Sequence, residues 1–251
     1  MTKISLKVLI TRPEKSGRAL AESLLKLGIA TTCQPMFDYQ KSTDTEQIPR
    51  LLQTLHQPIV IFVSVAAVEY ANQIQPISTW HYQNMIAIGS ATQSCLEKLG
   101  HSAICPSMHT SEGLLALNEM QSLKGKNIII VRGDGGLETI AQAIINKGGI
   151  VDYFESYQRK WRTFNNDIAN YWQKSGVNCI VITSNALLKQ MISLLSPSND
   201  HWQNECLWLV ASQRISDQAQ ELGLMKVFNT HGANDEAIIH AINQYGIADD
   251  K

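Results

Sequence analysis

A chain of 251 residues, 44% hydrophobic and 17% charged, is long enough to bury one large core or two ordinary ones. Lysine and arginine number 21 against 22 acids, and the resulting charge of −1 excludes a basic field for nucleic acid or an anionic membrane, so any anionic ligand has to be gripped locally. The longest apolar stretch, residues 59–68, is interrupted by Ser64 and falls far short of the roughly 20 residues of a membrane span. The opening MTKISLKVLITRPE enters a strand at once, without the apolar segment and cleavage site of a signal peptide, which points to a soluble cytoplasmic protein.

Taken in order, residues 8–39 read as a strand ending at Arg12, a helix closed by Gly28 and a second strand, the unit of a parallel α/β sheet. The polar stretch MFDYQKS at 36–42 reads as extended. IVIFVS then closes a buried strand at Ser64, MIAIGSATQSCLEKLG runs from strand into helix up to Gly100, and SEGLLALNEM from Ser111 ends the half as a helix with a capping residue and an acid in its first turn. The second half repeats the pattern. NIIIV leads to Arg132, a turn of Gly133, Asp134, Gly135 and Gly136 follows, and Leu137, Ile140, Ala141, Ile144 and Ile145 space out an amphipathic helix before Gly148-Gly149 and another strand. Residues 155–162, ESYQRKWR, are again extended; CIVITS closes at Ser184, LWLVASQRISDQAQELG ends at Gly223, and DEAIIHAINQY from Asp235 is the last helix, with Asp235 as its cap. The same 120 positions separate Arg12 from Arg132 and Ser64 from Ser184, which identifies an internal duplication with about five strands per half.

Strands are expected at 7–11, 31–34, 60–63, 86–88, 103–105, 127–131, 150–154, 179–183, 207–210 and 226–228. With helices between them, the fold class is α/β, in two domains that each hold a parallel five-stranded sheet flanked by helices. The two polar connectors, both containing Tyr-Gln, fit a strand exchange between the halves. Domain 1 then comprises 1–35 and 163–251, domain 2 comprises 42–156, and 36–41 with 157–162 forms a two-stranded ribbon joining them.

Open parallel sheets bind ligands beyond the carboxyl ends of their strands. Those ends carry Thr11, Arg12, Ser64, Ser90, Thr92, Arg132, Gly133, Ser184, Asn185, Ser212 and Arg214: hydroxyls, glycine and arginines at helix starts, suited to carboxylates or phosphates in an interdomain cleft. Plainer roles fit the same residues. The four serines serve equally as N-caps, Arg12 and Arg132 as partners of Glu14, Asp134 or Glu138, the glycines as turn formers, and Tyr157 as a packing residue of the ribbon. The turn is no nucleotide motif, because GxGxxG from Gly133 would need glycine where Glu138 stands and the Walker ending is missing. Cys33, Cys95, Cys105, Cys179 and Cys206 are dispersed without a CxxC pair and read as reduced packing residues; the histidines are equally scattered, and no metal site, nucleophile triad or glycosidic carboxylate pair stands out. The residues alone leave two readings open, an enzyme acting on a multiply anionic ligand and a non-catalytic two-lobed binding protein for one.

Six segments in order resemble the uroporphyrinogen-III synthase family: Ile10-Thr11-Arg12-Pro13, Phe62-Val63-Ser64, Ile88-Gly89-Ser90-Ala91-Thr92, Ile130 to Gly136, Glu155-Ser156-Tyr157-Gln158-Arg159 and Ile182-Thr183-Ser184. The resemblance covers nearly the whole chain. It implies two α/β domains joined by a two-stranded ribbon, and a lyase of haem or sirohaem biosynthesis that cyclises hydroxymethylbilane, loses water and inverts ring D. It implies no cofactor, no metal and a monomer that receives its substrate from the preceding deaminase. By the same resemblance the hydroxyl of Tyr157 assists water loss, and Thr92 and Ser64 of one domain and Ser184 and Ser212 of the other hold carboxylates; their place at the strand ends adds Arg12, Ser90, Arg132, Gly133, Asn185 and Arg214 as substrate-binding residues. The chain departs from the family in Ser64-Val65-Ala66-Ala67, which lacks a proline, and in Ser212-Gln213-Arg214, where Arg214 stands in for a threonine role.

Overall fold

A computed structural model describes residues 6–108, 111–135, 138–195 and 200–248, the last three by backbone alone. Two compact units emerge, one from the residues up to Asp38 together with those from Trp161 onward, the other from Tyr39–Lys160. The chain therefore passes between units twice.

In the first unit β1 (Lys7–Ile10), β2 (Ala30–Cys33), β8 (Cys179–Ile182), β9 (Leu207–Val210) and β10 (Val227–Asn229) form one sheet in the order β10-β9-β8-β1-β2, with all four neighbouring pairs parallel. Val8, Ile10, Val181 and Leu209 pack with Leu20 and Leu24 of α1 (Glu14–Lys26) and Ile238 and Ile242 of α10 (Asp235–Ala248). Leu9, Ile180, Ile182, Trp208 and Val210, which point the other way, are equally buried, so helices cover that face too. This double burial is why CIVI and LWLV are unbroken apolar runs rather than alternating ones. The helices of this face are α7 (Ile168–Lys174), α8 (Asn185–Leu195) and α9 (Gln213–Glu221). Two buried threonine hydroxyls are satisfied in the core: that of Thr11 donates to the Val181 carbonyl at 2.6 Å and that of Thr230 to the Gly232 carbonyl at 2.6 Å.

The second unit holds β3 (Phe37–Lys41), β4 (Ile59–Phe62), β5 (Asn84–Ala87), β6 (Asn127–Gly133) and β7 (Ile150–Trp161) in the order β3-β7-β6-β4-β5. Ile59, Ile61, Ile128 and Ile130 face α5 (Ser111–Ala116) and α6 (Glu138–Asn146); Val60, Phe62, Ile129, Val131 and Phe154 face α2 (Gln47–Thr54), α3 (Val65–Ile74) and α4 (Ser90–Lys98). Helix ends follow their glycines. Gly148, at φ +82°, reverses the chain after α6 so that the next amide, Gly149, bonds back to Ile144 O at 3.0 Å.

Two expectations need correction. The strand at 103–105 is a single parallel bridge between Ile104 and Ile86. Its two bonds run from Ile104 N to Met85 O and from Ala87 N to Ile104 O, and the next rung would need an amide proton from Pro106, which has none. The sheet's fifth strand is instead β3, part of the stretch read as a connector. Its bonds, Ser42 N to Ser156 O and Arg162 N to Met36 O, run in opposite index directions, so it lies antiparallel to β7 and the sheet is mixed. β7 continues past 154 through the second connector to Trp161. Where β3 no longer flanks it, the Gln47 carboxamide does, donating to Tyr153 O at 2.9 Å and accepting from Glu155 N at 3.2 Å.

Candidate functional site

In the second unit the strand ends are organised by one irregularity. β6 and β7 pair residue for residue up to Arg132 opposite Glu155, and then Gly133 pairs with Tyr157, leaving Ser156 as an extra residue. Residues an odd number apart on a regular strand face opposite ways, yet Phe154 and Tyr157 share one core cluster because the bulge turns the strand over between them. The Tyr157 ring then lies across Gly133, where a Cβ would come within 2.5 Å of it. The glycine is needed for close approach, not for an unusual φ. Tyr39 meets the ring edge-on at 4.8 Å between centroids, and Tyr70 lies at 5.8 Å while its hydroxyl donates to Tyr39 O. At 8% exposure the Tyr157 ring is core, as its plainer reading had it, and its hydroxyl sits 3.3 Å from Ser64 Oγ.

Ser64 is an N-cap as well. Its Oγ accepts from Ala67 N at 3.1 Å at the start of α3. Thr92, nearly fully buried, lies one turn before Leu96 of the same core cluster, so Ser64, Thr92 and Tyr157 belong to one face of the sheet. Ser90 does not act as a cap. It is the exposed first residue of α4, and Gly89 holds the N-cap place with no side chain to offer.

Arg132 turns to the other face. Its guanidinium lies 3.6 Å from the centroid of Tyr153 and donates to Glu138 Oε1 at 3.2 Å and Glu155 Oε1 at 3.0 Å. Two carboxylates on one cation leave this group with net negative charge, so an anionic ligand would have to displace one of them. Of the local acids considered, Glu138 is a partner; Asp134 instead holds Arg159. Gly136 and Leu137 lie outside the described residues.

In the first unit Arg12 binds not the neighbouring Glu14 but Asp235, far along the chain, while Glu14 pairs with Arg18. Asp235 has that freedom because it is not the cap of α10: Asn234 Oδ1 accepts from Ala237 N at 2.8 Å. Ser184 repeats the Ser64 arrangement, accepting from Leu187 N at 3.2 Å. Asn185 follows with its Oδ1 buried and without a hydrogen-bond partner among the described residues; with the amide turned over, Nδ2 would offer a donor at the same place. Ser212 stands at the N-cap of α9 in extended conformation but makes no capping bond with its side chain, and Arg214 in the first turn is exposed without an ion pair among the described residues. Hydroxyl and cation are both uncommitted there.

Sequence reasoning missed Ser156, Tyr70 and the partner of Arg12. The one local signal for the bulge is Phe154 and Tyr157 both being large aromatics at odd spacing in a strand. The five cysteines are free; burial pushes the thiols of Cys179 and Cys206 up, so they remain protonated packing groups. Among the described residues no cluster of His, Cys, Asp and Glu suits a metal, and no helix is long and apolar enough to cross a membrane.

Known proteins bear on what these groups serve. The model of a family described as Uroporphyrinogen-III synthase HemD matches residues 18–239. Uroporphyrinogen-III synthase of Salmonella typhimurium is 30% identical over 250 residues, 94% of this chain and 100% of the relative, and that of Escherichia coli is 31% identical over 245 residues with the same coverage. Among solved structures, a variant of the Thermus thermophilus synthase matches with TM-score 0.63 at 12% identity, over 97% of this chain and 99% of the other. Uroporphyrinogen-III synthetase of Helicobacter pylori matches with TM-score 0.61 at 10% identity, over 96% and 100%. At such identities the structural likeness speaks for the fold alone.

Proposed function

Because this chain belongs to the uroporphyrinogen-III synthase family, we propose that it is a lyase that cyclises hydroxymethylbilane to uroporphyrinogen III, with loss of water and inversion of ring D. The observation that carries the chemistry is the Tyr157 hydroxyl 3.3 Å from Ser64 Oγ, beyond the carboxyl ends of the parallel strands β4 and β6. One Ser64 lone pair is taken by the Ala67 amide, which leaves its proton to donate toward the tyrosine oxygen. The phenolic proton is then directed at the substrate's departing hydroxyl. As the C–O bond breaks, that proton leaves with the water, the pyrrole nitrogen supplies the electron pair, and Ser64 holds the phenolate that remains. The azafulvenium cation is attacked by the substituted carbon of the far ring; the spiro intermediate fragments and recloses inverted, and the proton lost on rearomatisation restores Tyr157.

Cation formation from an electron-rich pyrrole needs little push, so most of the work is holding a flexible polycarboxylate in one curl. We assign that to the hydroxyls and helix starts at Ser64, Ser90 and Thr92 in one unit and Ser184, Asn185, Ser212 and Arg214 in the other. Arg214 is the cation best placed to meet a carboxylate directly, while Arg12, Arg132 and Gly133 shape the strand ends. A duplication with exchange of the first two strands for the last three would account for the sheet orders, with domains at 1–35 plus 163–251 and at 42–156 and the connectors 36–41 and 157–162 as a ribbon. A cytoplasmic monomer that takes its substrate from a deaminase completes the reading.

The test is to supply hydroxymethylbilane, oxidise the product and separate porphyrin isomers. Type III should dominate; a protein that leaves the spontaneous type I isomer in excess is a binder and not this enzyme. Tyr157→Phe should slow closure roughly tenfold or more while keeping its fold.

A further inference from the structure

We propose that Ser156 is a positioning residue for this reaction, fixing the Tyr157 hydroxyl against Ser64 from within the bulge; the proposal rests on the reading of Tyr157 as the acid. Ser156 is fully buried, and its hydroxyl has two acceptors in reach, Ala67 O at 3.1 Å and Arg132 O at 3.3 Å. Ala67 is the residue whose amide Ser64 caps. The first turn of α3 is thus held at one residue from both sides, by Ser156 through its carbonyl and by Ser64 through its amide.

Following the contacts gives a closed circuit. Ser156 donates to Ala67, Ala67 donates to Ser64, Ser64 meets the Tyr157 hydroxyl, and Tyr157 is covalently next to Ser156. The second acceptor, Arg132 O, belongs to the strand whose next residue, Gly133, supports the ring. Without the Ser156 hydroxyl, the tie between the start of α3 and the bulge is left to the 3.3 Å contact between Ser64 and the phenol itself, with packing alone to hold its length. A bulge needs no hydroxyl to form, so a buried one aimed at two carbonyls points to placement.

The experiment is a double-mutant cycle on the full chain with hydroxymethylbilane as substrate. Ser156→Ala should lower kcat roughly ten- to hundredfold with KM changed less than about twofold, because a displaced acid is lost to the transition state and not to substrate binding. In a Tyr157→Phe background the same substitution should cost less than about twofold. Ser156→Cys, close in size and a poor donor, takes the place of alanine should that variant not fold, and should show the same non-additivity. Unchanged kcat in the single variant, or a loss carried undiminished into the Tyr157→Phe background, overturns the positioning role while leaving Tyr157 as the acid. Full activity in Tyr157→Phe alone removes the acid reading itself, and this proposal with it.

Discussion

Arg12 and Arg132 stand at the ends of corresponding strands in the two units, and each is followed by a residue that decides what the strand end can do. Pro13, at φ −51°, is the N-cap of α1 and starts the helix at once. Gly133 stays in the strand, opposite the bulge, and leaves room for the ring of Tyr157. The arginines differ in the same sense. Arg12 pairs with one acid on a distant helix, whereas Arg132 is packed on an aromatic face between two. One pattern in the chain has become a clean helix start in one unit and a crowded, polar, aromatic cluster in the other, which is where an acid can be held.

The largest expected difference follows from the glycine. Gly133→Ala drives a methyl group into the Tyr157 ring and should lower kcat by roughly tenfold or more, while Pro13→Ala should stay within about twofold. Equal losses in steady-state assays would show that the two ends are not specialised. Next come the arginines. Arg132→Gln leaves Glu138 and Glu155 facing each other beside Tyr153 and should cost about 1–3 kcal/mol in urea unfolding, the carboxylates being exposed enough to be screened in part. Arg12→Gln, which loses one partly exposed pair, should cost about 1 kcal/mol or less. The caps sharpen the comparison further: Ser64→Ala and Ser184→Ala should each cost about 1 kcal/mol, but the former, which meets the Tyr157 hydroxyl, should lower kcat, whereas the latter should act mainly on KM. The smallest effect concerns thiols. Burial raises the thiol pKa of Cys33 and Cys105 less than that of Cys179 and Cys206, so at neutral pH a maleimide should label the first two slowly and the last two only after unfolding.

What the sequence made legible was whatever depends on burial. IVIF, CIVI and LWLV are apolar without alternation because both their faces are covered. Less legible were features settled by a single atom. The missing amide proton of Pro106 reduces a strand to a bridge, and Asn234, not Asp235, takes the cap, which releases Asp235 to Arg12. The site shows both kinds. Ser64 and Ser184 are placed by the strands they end, but the contact between Ser64 and Tyr157 depends on one extra residue that alters facing without altering hydropathy.

Gln47 has a consequence of another kind. β3 covers β7 only from Ser156 onward, so the earlier part of β7 presents backbone groups that a second chain could pair with. The carboxamide of Gln47 occupies two of them with the donor and acceptor spacing of a peptide bond, acting as a counterfeit strand one residue long. A side chain of that shape guards solubility where a charge would have to be buried, and Gln47→Ala should scatter light earlier on heating than the parent protein does.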